Sequence, residues 1–258
     1  MLGAYANSIK IPELRKRILF TLGILALCRL AAGIPCPGLN AAELGRLFTE
    51  LQKGGGGLLN IFNLFSGGAL QKFAVGTLGI MPYITASIIM QLLMPVIPAL
   101  EKLRREGESG RQKINQYTRY LTLAVCVVHG TAAVQFMVSP GAMLPGAETY
   151  EIVKNPGIGF GITTVIFLAA GTMLLVWLGE QISDRGIGNG ISLIITINIL
   201  SRLPSAVNGL IALAQGGATG GGNIIKVFIL LIMFFVVCAA AVALTQGHRK
   251  IPIRHARR

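Results

Sequence analysis

The residues able to do chemistry are few and scattered. Within the apolar runs stand Arg29, His129 and Glu180, with Asp184 just beyond. Enzymes and ion-coupled transporters in membranes gather ionisable groups in the bundle interior, where they pair or relay protons. Here the groups stand on different runs, with no paired-carboxylate site, no HExxH and no GxSxG. His129 is expected to pack against a neighbouring helix. Glu180 and Asp184 are expected to be solvated or ion-paired at a membrane boundary. His248 and His255 lie in a basic tail. Cys28, Cys36, Cys126 and Cys238 form no CxxC or Cys/His cluster, so neither zinc nor a disulfide framework is indicated. Gly186-Ile187-Gly188-Asn189-Gly190 leads into Ile191-Ser192-Leu193-Ile194-Ile195. A glycine-rich turn before a helix can cradle phosphate, but that fingerprint needs a preceding strand. A Walker-type loop needs Lys-Ser or Lys-Thr after the glycines. An apolar run precedes and Ile-Ser follows, so the segment reads as a tight turn between helices. No catalytic residue, cofactor or metal is expected, and the chain is not expected to be an enzyme.

The elements that position these residues are long and apolar. Apolar types make up 53% of the 258 residues and charged types 13%, with a mean hydropathy of +0.66. An ordinary soluble domain carries about 25% charged residues. Six runs approach or exceed the roughly 20 residues that a helix needs to cross a bilayer: Ile18–Ile34, Phe73–Ile97, Thr118–Val138, Gly161–Gln181, Ile191–Leu213 and Ile224–Leu244. A β-barrel would instead alternate over segments of about ten residues. In the fifth run, Arg202 and Pro204 place the end of the crossing near Leu200. The first run follows Arg15-Lys16-Arg17 and meets Pro35 and Pro37 rather than a small-residue cleavage site, which favours a retained helix over a signal peptide.

The net charge of +13 follows the same pattern. Lys10, Arg15, Lys16 and Arg17 precede the first run. Lys102, Arg104, Arg105, Arg111, Lys113 and Arg119 follow the second, Arg185 follows the fourth, and Arg249, Lys250, Arg254, Arg257 and Arg258 follow the sixth. These are sixteen of the 23 basic residues. Six lie on the other side and Arg29 lies within a helix. The asymmetry puts both ends of the chain in the cytoplasm and accounts for most of the charge without nucleic acid.

Two segments break the regular pattern. Leu58–Ala69 is apolar but short: twelve residues of helix cover about 18 Å, against about 30 Å of hydrocarbon. Glycines flank it at Gly54–Gly57 and Gly67-Gly68. Such a helix lies on the membrane or enters a protein-lined cavity, and composition leaves both open. In the second run, Pro82 is expected to kink the helix. Beyond it Ile84, Ile88 and Leu92 recur every four residues, with Gln91 among them.

Gly76–Gln91 (GTLGIMPYITASIIMQ) and Trp177–Ile195 (WLGEQISDRGIGNGISLII) resemble the SecY family of preprotein translocase channels. Arg29 with GIPCPG at Gly33–Gly38, EGESGR at Glu106–Arg111, QYTRY at Gln116–Tyr120 and RKIPIRHARR at Arg249–Arg258 follow in family order. The resemblance implies an all-α polytopic membrane protein: about six transmembrane helices plus a short re-entrant plug helix, the first half of a pseudo-symmetric ten-helix channel fold. Residues 1–200 would hold five crossings and the plug. Residues 201–258 would hold an outer loop, the sixth crossing and the start of a cytoplasmic loop.

By motif position, Ile84, Ile88, Ile191 and Ile195 match an apolar pore ring and are expected to face one another. A narrow apolar constriction dewets and blocks ions. Leu58, Leu59, Ile61, Phe62, Leu64, Phe65, Ser66, Gly67 and Gly68 match the plug, and Gln91 is a candidate polar residue of the lateral gate. Arg104, Arg105, Arg111, Arg249, Lys250 and Arg254 are candidate cytoplasmic contacts.

The implied function is passage of unfolded preproteins across the membrane and release of membrane segments into lipid. The implied partners are SecE, SecG, a SecA motor or ribosome, preprotein substrate and membrane lipid. The implied location is the bacterial inner membrane. Measured against that pattern the chain stops after six helices, and a sealed channel needs the missing C-terminal half. The alternatives are a small-solute transporter, disfavoured by the scarcity of buried charge, and a non-functional translocase fragment.

Overall fold

The computed structural model describes residues 11–53, 61, 63–142, 150–214 and 224–247. These residues are mainly helical, with two isolated antiparallel bridges, Pro35 with Ala74 and Leu39 with Val153. The chain divides into two units, residues 1–202 and 203–258. The first holds α1 (Pro12–Ala31), α2 (Ala41–Lys53), α3 (Ala69–Lys72), α4 (Met81–Leu93), α5 (Pro98–Arg105), α6 (Glu108–Val138), α7 (Ile158–Arg185) and α8 (Gly190–Leu200). The second holds α9 (Leu203–Ala214) and α10 (Ile224–Gln246), which pack on each other. Among the described residues, four helical stretches are long and apolar enough to cross a membrane. A fifth is added if α4 and α5, bent by 96°, count as one broken span. α1 has 20 residues, which cover about 30 Å, with Arg15, Lys16 and Arg17 near its start and Arg29 in its last turn.

α7 touches α1, α4, α6 and α8. Between helices in lipid, apolar burial supplies little net drive, and close approach at small residues takes over. At the α7–α8 crossing a Cβ on Gly190 would run into the Gly179 carbonyl, and a Cβ on Gly179 would meet Ile191 Cγ1 at 3.2 Å. Two buried hydroxyls of α6 return to the backbone of their own helix: Thr118 donates to the Ile114 carbonyl at 2.9 Å and Thr122 to that of Thr118 at 2.7 Å. One apolar cluster joins Ile24 and Cys28 of α1, Leu175, Leu178 and Ile182 of α7, and Ile194 of α8.

The second cluster lies under the segments that connect the helices. Leu44, Leu47 and Phe48 of α2 pack with Phe73, Phe136, Ile152 and Leu168. Short backbone pairings hold these connections. Cys36 N–H donates to the Phe73 carbonyl at 2.9 Å, Val75 N–H to that of Ile34 at 2.9 Å, and Asn40 N–H to that of Ile152 at 2.8 Å.

Several expectations are corrected. The second helix begins at Met81, not Phe73, so Pro82 sits in its first turn rather than at a kink. Proline is well accommodated there because the missing N–H has no helical partner. Residues 73–80 turn back on themselves and include the Pro35–Ala74 bridge. The third helix starts at Glu108, ten residues before the apolar run, because a helix continues past the hydrocarbon at no cost to its hydrogen bonds. The segment Leu58–Ala69 is not one helix: residues 61 and 63–65 are helical, 66–68 form a turn, and Ala69 opens α3. His129 is exposed on α6 rather than packed. α8 ends at Leu200, but Gly190–Ala212 taken together is one of the four stretches long and apolar enough to cross a membrane, so the apolar span continues past Arg202 and Pro204.

Candidate functional site

Among the described residues, a connected polar constellation surrounds the turn at Phe65–Gly68. The turn is built locally. Gly68 N–H donates to the Asn63 carbonyl at 2.9 Å, Ser66 Oγ–H donates to the same carbonyl at 3.1 Å, and Gln71 N–H donates to Asn63 Oδ1 at 3.3 Å. Asn63 and Ser66 are buried. The reversal needs left-handed backbone at Gly67 (φ 63) and Gly68 (φ 91), which glycine adopts without a Cβ penalty.

Two distant side chains close on this turn. Arg29 donates from Nη2 to the Gly67 carbonyl and from Nη1 to Asn198 Oδ1, each at 3.2 Å. Asn198, on α8, in turn donates from Nδ2 to the Phe65 carbonyl at 3.2 Å. Asn198 is only 6% exposed, and the two partners are 169 positions apart in sequence.

The α7–α8 turn is also fastened. Ser183 Oγ accepts from Gly190 N–H at 2.9 Å, and Asn189 caps α8 by accepting from Ser192 N–H at 3.2 Å. Thr21 of α1 accepts from Ile187 N–H at 3.2 Å through its hydroxyl. The turn is thus a hydrogen-bonded joint between three helices. Ser192 and Thr196 of α8 are exposed.

Of the ring candidates, Ile84 and Ile191 pack against the same cluster as Ile24, Leu178 and Ile194. Ile195 is half-buried and Ile88 is 52% exposed. Among the plug candidates, Ile61 and Leu64 are exposed, Phe65 and Gly68 half-buried, and Ser66 and Gly67 buried. Leu58, Leu59 and Phe62 lie outside the described residues. Gln91 is exposed and donates to Ser87 Oγ at 3.3 Å. Arg104, Arg105 and Arg111 are exposed, with Arg105 paired to Glu101 at 2.6 Å. Arg249, Lys250 and Arg254, with the rest of the Arg249–Arg258 tail, lie outside the described residues. Among those that are described, no group of His, Cys, Asp and Glu could hold a metal ion.

A family model described as SecY matches residues 74–258. The protein translocase subunit SecY of Streptomyces scabiei is 43% identical over 258 residues, covering 100% of this chain and 58% of that protein. That of Mycobacterium bovis is 40% identical over 259 residues, covering 100% of this chain and 56% of that protein. The chain belongs to the SecY family.

It spans little more than half the length of these SecY relatives. Two solved structures share the fold. One, described as the structure of a protein conducting channel, has a TM-score of 0.56 at 21% identity, over 88% of this chain and 50% of the other. Sec61 in the canine ribosome-channel complex from the endoplasmic reticulum has a TM-score of 0.58 at 20% identity, over 96% and 54%. The SecY assignment and the apolar helices establish an integral membrane protein of the channel fold.

Sequence reasoning missed Asn198 and the whole of α2. Asn198 had a signal: it follows Ile191 and Ile194 at i+7 and i+4, on the inward face of α8, where a polar residue needs a partner. Leu44, Leu47 and Phe48 likewise mark one face of a helix.

Proposed function

We propose that this chain forms the first half of a protein-conducting channel, which passes unfolded preproteins across a membrane and releases membrane segments into it. The observation that carries this reading is the 43% identity to a translocase subunit over 100% of the chain. Seating of the Phe65–Gly68 turn between the ends of α1 and α8 supports it. In this reading Phe65–Gly68 belongs to the plug, and Ile84, Ile88, Ile191 and Ile195 contribute half of an apolar constriction. Such a ring excludes ions by dewetting while it adapts to a passing chain. Gln91 belongs to the lateral gate. The basic segment Lys102–Lys113 and the C-terminal tail face the cytoplasm and meet SecA or the ribosome. SecE, SecG and the other half of the channel complete the assembly in the bacterial inner membrane. The chain does no chemistry on its substrate, and its partners supply the energy.

The test is translocation by proteoliposomes that hold the intact channel assembled from this sequence, driven by its motor. Single cysteines at 84, 88, 191 and 195 are expected to form disulfides with a cysteine in an arrested preprotein. Transport without such crosslinks would place the path elsewhere, and absence of transport by the unmodified assembly would reject the channel reading itself.

A further inference from the structure

We infer that Arg29 and Asn198 together form a latch that holds the Phe65–Gly68 turn at the ends of α1 and α8. The inference rests on the channel reading above and names the residues that set its resting state. Every bond the latch makes to the turn ends on a main-chain carbonyl: Arg29 on Gly67 and Asn198 on Phe65. The bond between the two side chains keeps both aimed at the turn. Neither residue alone spans the turn. Arg29 enters from the last turn of α1, and Asn198 from a buried position on α8.

The fit is tight enough to exclude alternatives at the turn. A Cβ on Gly67 would strike the Arg29 guanidinium and meet Asn198 Oδ1 at 3.0 Å, and a Cβ on Gly68 would meet Arg202 Cζ at 2.8 Å. The chemistry also explains why these two residue types serve. The guanidinium offers donors in a fixed fork, so it bonds a carbonyl and an amide oxygen at once. The amide of Asn198 accepts on one atom and donates on the other. Lysine at 29 offers a single nitrogen, and aspartate at 198 keeps the acceptor but loses the donor to Phe65. Departure of the turn leaves Arg29 and Asn198 with donors that lack protein partners, so the closed arrangement is favoured until a passing chain displaces it.

The experiment measures resting ion leak and preprotein transport in proteoliposomes holding the intact assembly. Asn198→Leu removes both amide bonds and Arg29→Gln removes the fork. Each is expected to raise resting leak about tenfold, a change of the size that one or two hydrogen bonds to a charged group supply. Arg29→Lys and Asn198→Asp are expected to give intermediate leak. The double variant Arg29→Gln/Asn198→Leu is expected to leak no more than the leakier single variant, because the two residues act as one device. General loosening of the fold would instead make the two effects multiply. Transport that persists with unchanged leak in all four single variants overturns the latch and leaves the channel reading standing. Multiplicative leak in the double variant also overturns it. Asn198→Asp, nearly isosteric, reports on the Phe65 bond even where Asn198→Leu fails to assemble. Unchanged leak in Asn198→Asp with a normal yield of assembled channel counts against that bond and the latch.

Discussion

Arg119 of α6 grips Glu180 of α7 with a two-point bond, Nε to Oε1 at 3.1 Å and Nη2 to Oε2 at 2.6 Å. Both side chains are partly exposed. The fork geometry fits a carboxylate well, yet water and salt screen a pair so placed, and exposed pairs contribute about 0–1 kcal/mol. Glu180→Gln is expected to lower thermal stability of the purified protein by an amount in that range. The loss should shrink in high salt. Arg119→Gln/Glu180→Gln should be no less stable than the worse single variant. A thermal melt at two salt concentrations measures this. A loss well above 1 kcal/mol that salt leaves unchanged would mark the pair as buried.

The α7–α8 crossing gives a larger effect from a smaller change. Gly190→Ala drives a methyl into the Gly179 carbonyl, and backbone cannot yield as a flexible side chain does. Overpacking of this kind costs about 1–3 kcal/mol. Gly188→Ala meets nothing within 4 Å and carries only the strain of φ 74, which is worth about 1–2 kcal/mol. Both should lower the melting temperature, and only Gly190→Ala should also expose Ser183 and Ile191 to cysteine labelling after each is replaced by cysteine. Equal labelling in the two variants contradicts close approach at Gly190.

The crossings were legible because lipid imposes one rule on the whole run: about 20 apolar residues in a helix. Ile158–Arg185 and Ile224–Gln246 follow it to within a few residues of the apolar stretches. The turn at Gly186–Gly190 was legible as a turn, and Arg202 marked the end of a helix. The start of α4 was not, since residues 73–80 are apolar enough to continue a helix. Their conformation is decided by pairing with Ile34 and Cys36, far away in sequence. The seat of the Phe65–Gly68 turn was hidden for the same reason: hydropathy reports which residues leave water, not which distant amide meets which carbonyl. The place of Asn198 beside Arg29 and Phe65 depends on such a distant pairing.

Cys36 is a buried thiol in the connection after α1, 4% exposed. Its Sγ–H contacts Thr164 Oγ1 at 3.8 Å. Burial pushes its pKa up, and the Thr164 contact opposes this more weakly. Because the thiolate is the nucleophile, Cys36 is expected to react with a soluble maleimide far more slowly than a cysteine placed at Gly157, where the added side chain meets open space. The sign for stability follows from the same shift. A folded-state pKa above the unfolded value means the thiol's contribution is whole below the unfolded pKa, 9.0 for the free group, and is lost as pH rises through the folded value. Cys36→Ala should therefore flatten part of the alkaline loss of stability. Rapid labelling of native Cys36 at pH 8 would contradict the burial.

α2 is held by one face, and Phe48 is its deepest residue at 0% exposed. Leu44 and Leu47 share that face, while Thr49 points outward and donates to the Gly45 carbonyl of its own helix at 2.8 Å. The cluster beneath includes Phe73, Phe136 and Ile152, from three segments far apart in sequence. Phe48→Ala removes a ring at their junction, and such truncations cost about 3–5 kcal/mol. Thr49→Ala, one position on, is expected to cost less than about 0.5 kcal/mol, as is usual for surface changes. If α2 only rests on the cluster, Phe48→Ala should loosen it locally. Protease would then cut within 41–53 while the crossings stay protected. If α2 is part of the cooperative fold, the whole chain should melt earlier with no selective cut. The shared core with Phe73, which is bonded through its carbonyl to Cys36, favours the second outcome, and limited proteolysis beside a thermal melt decides between them.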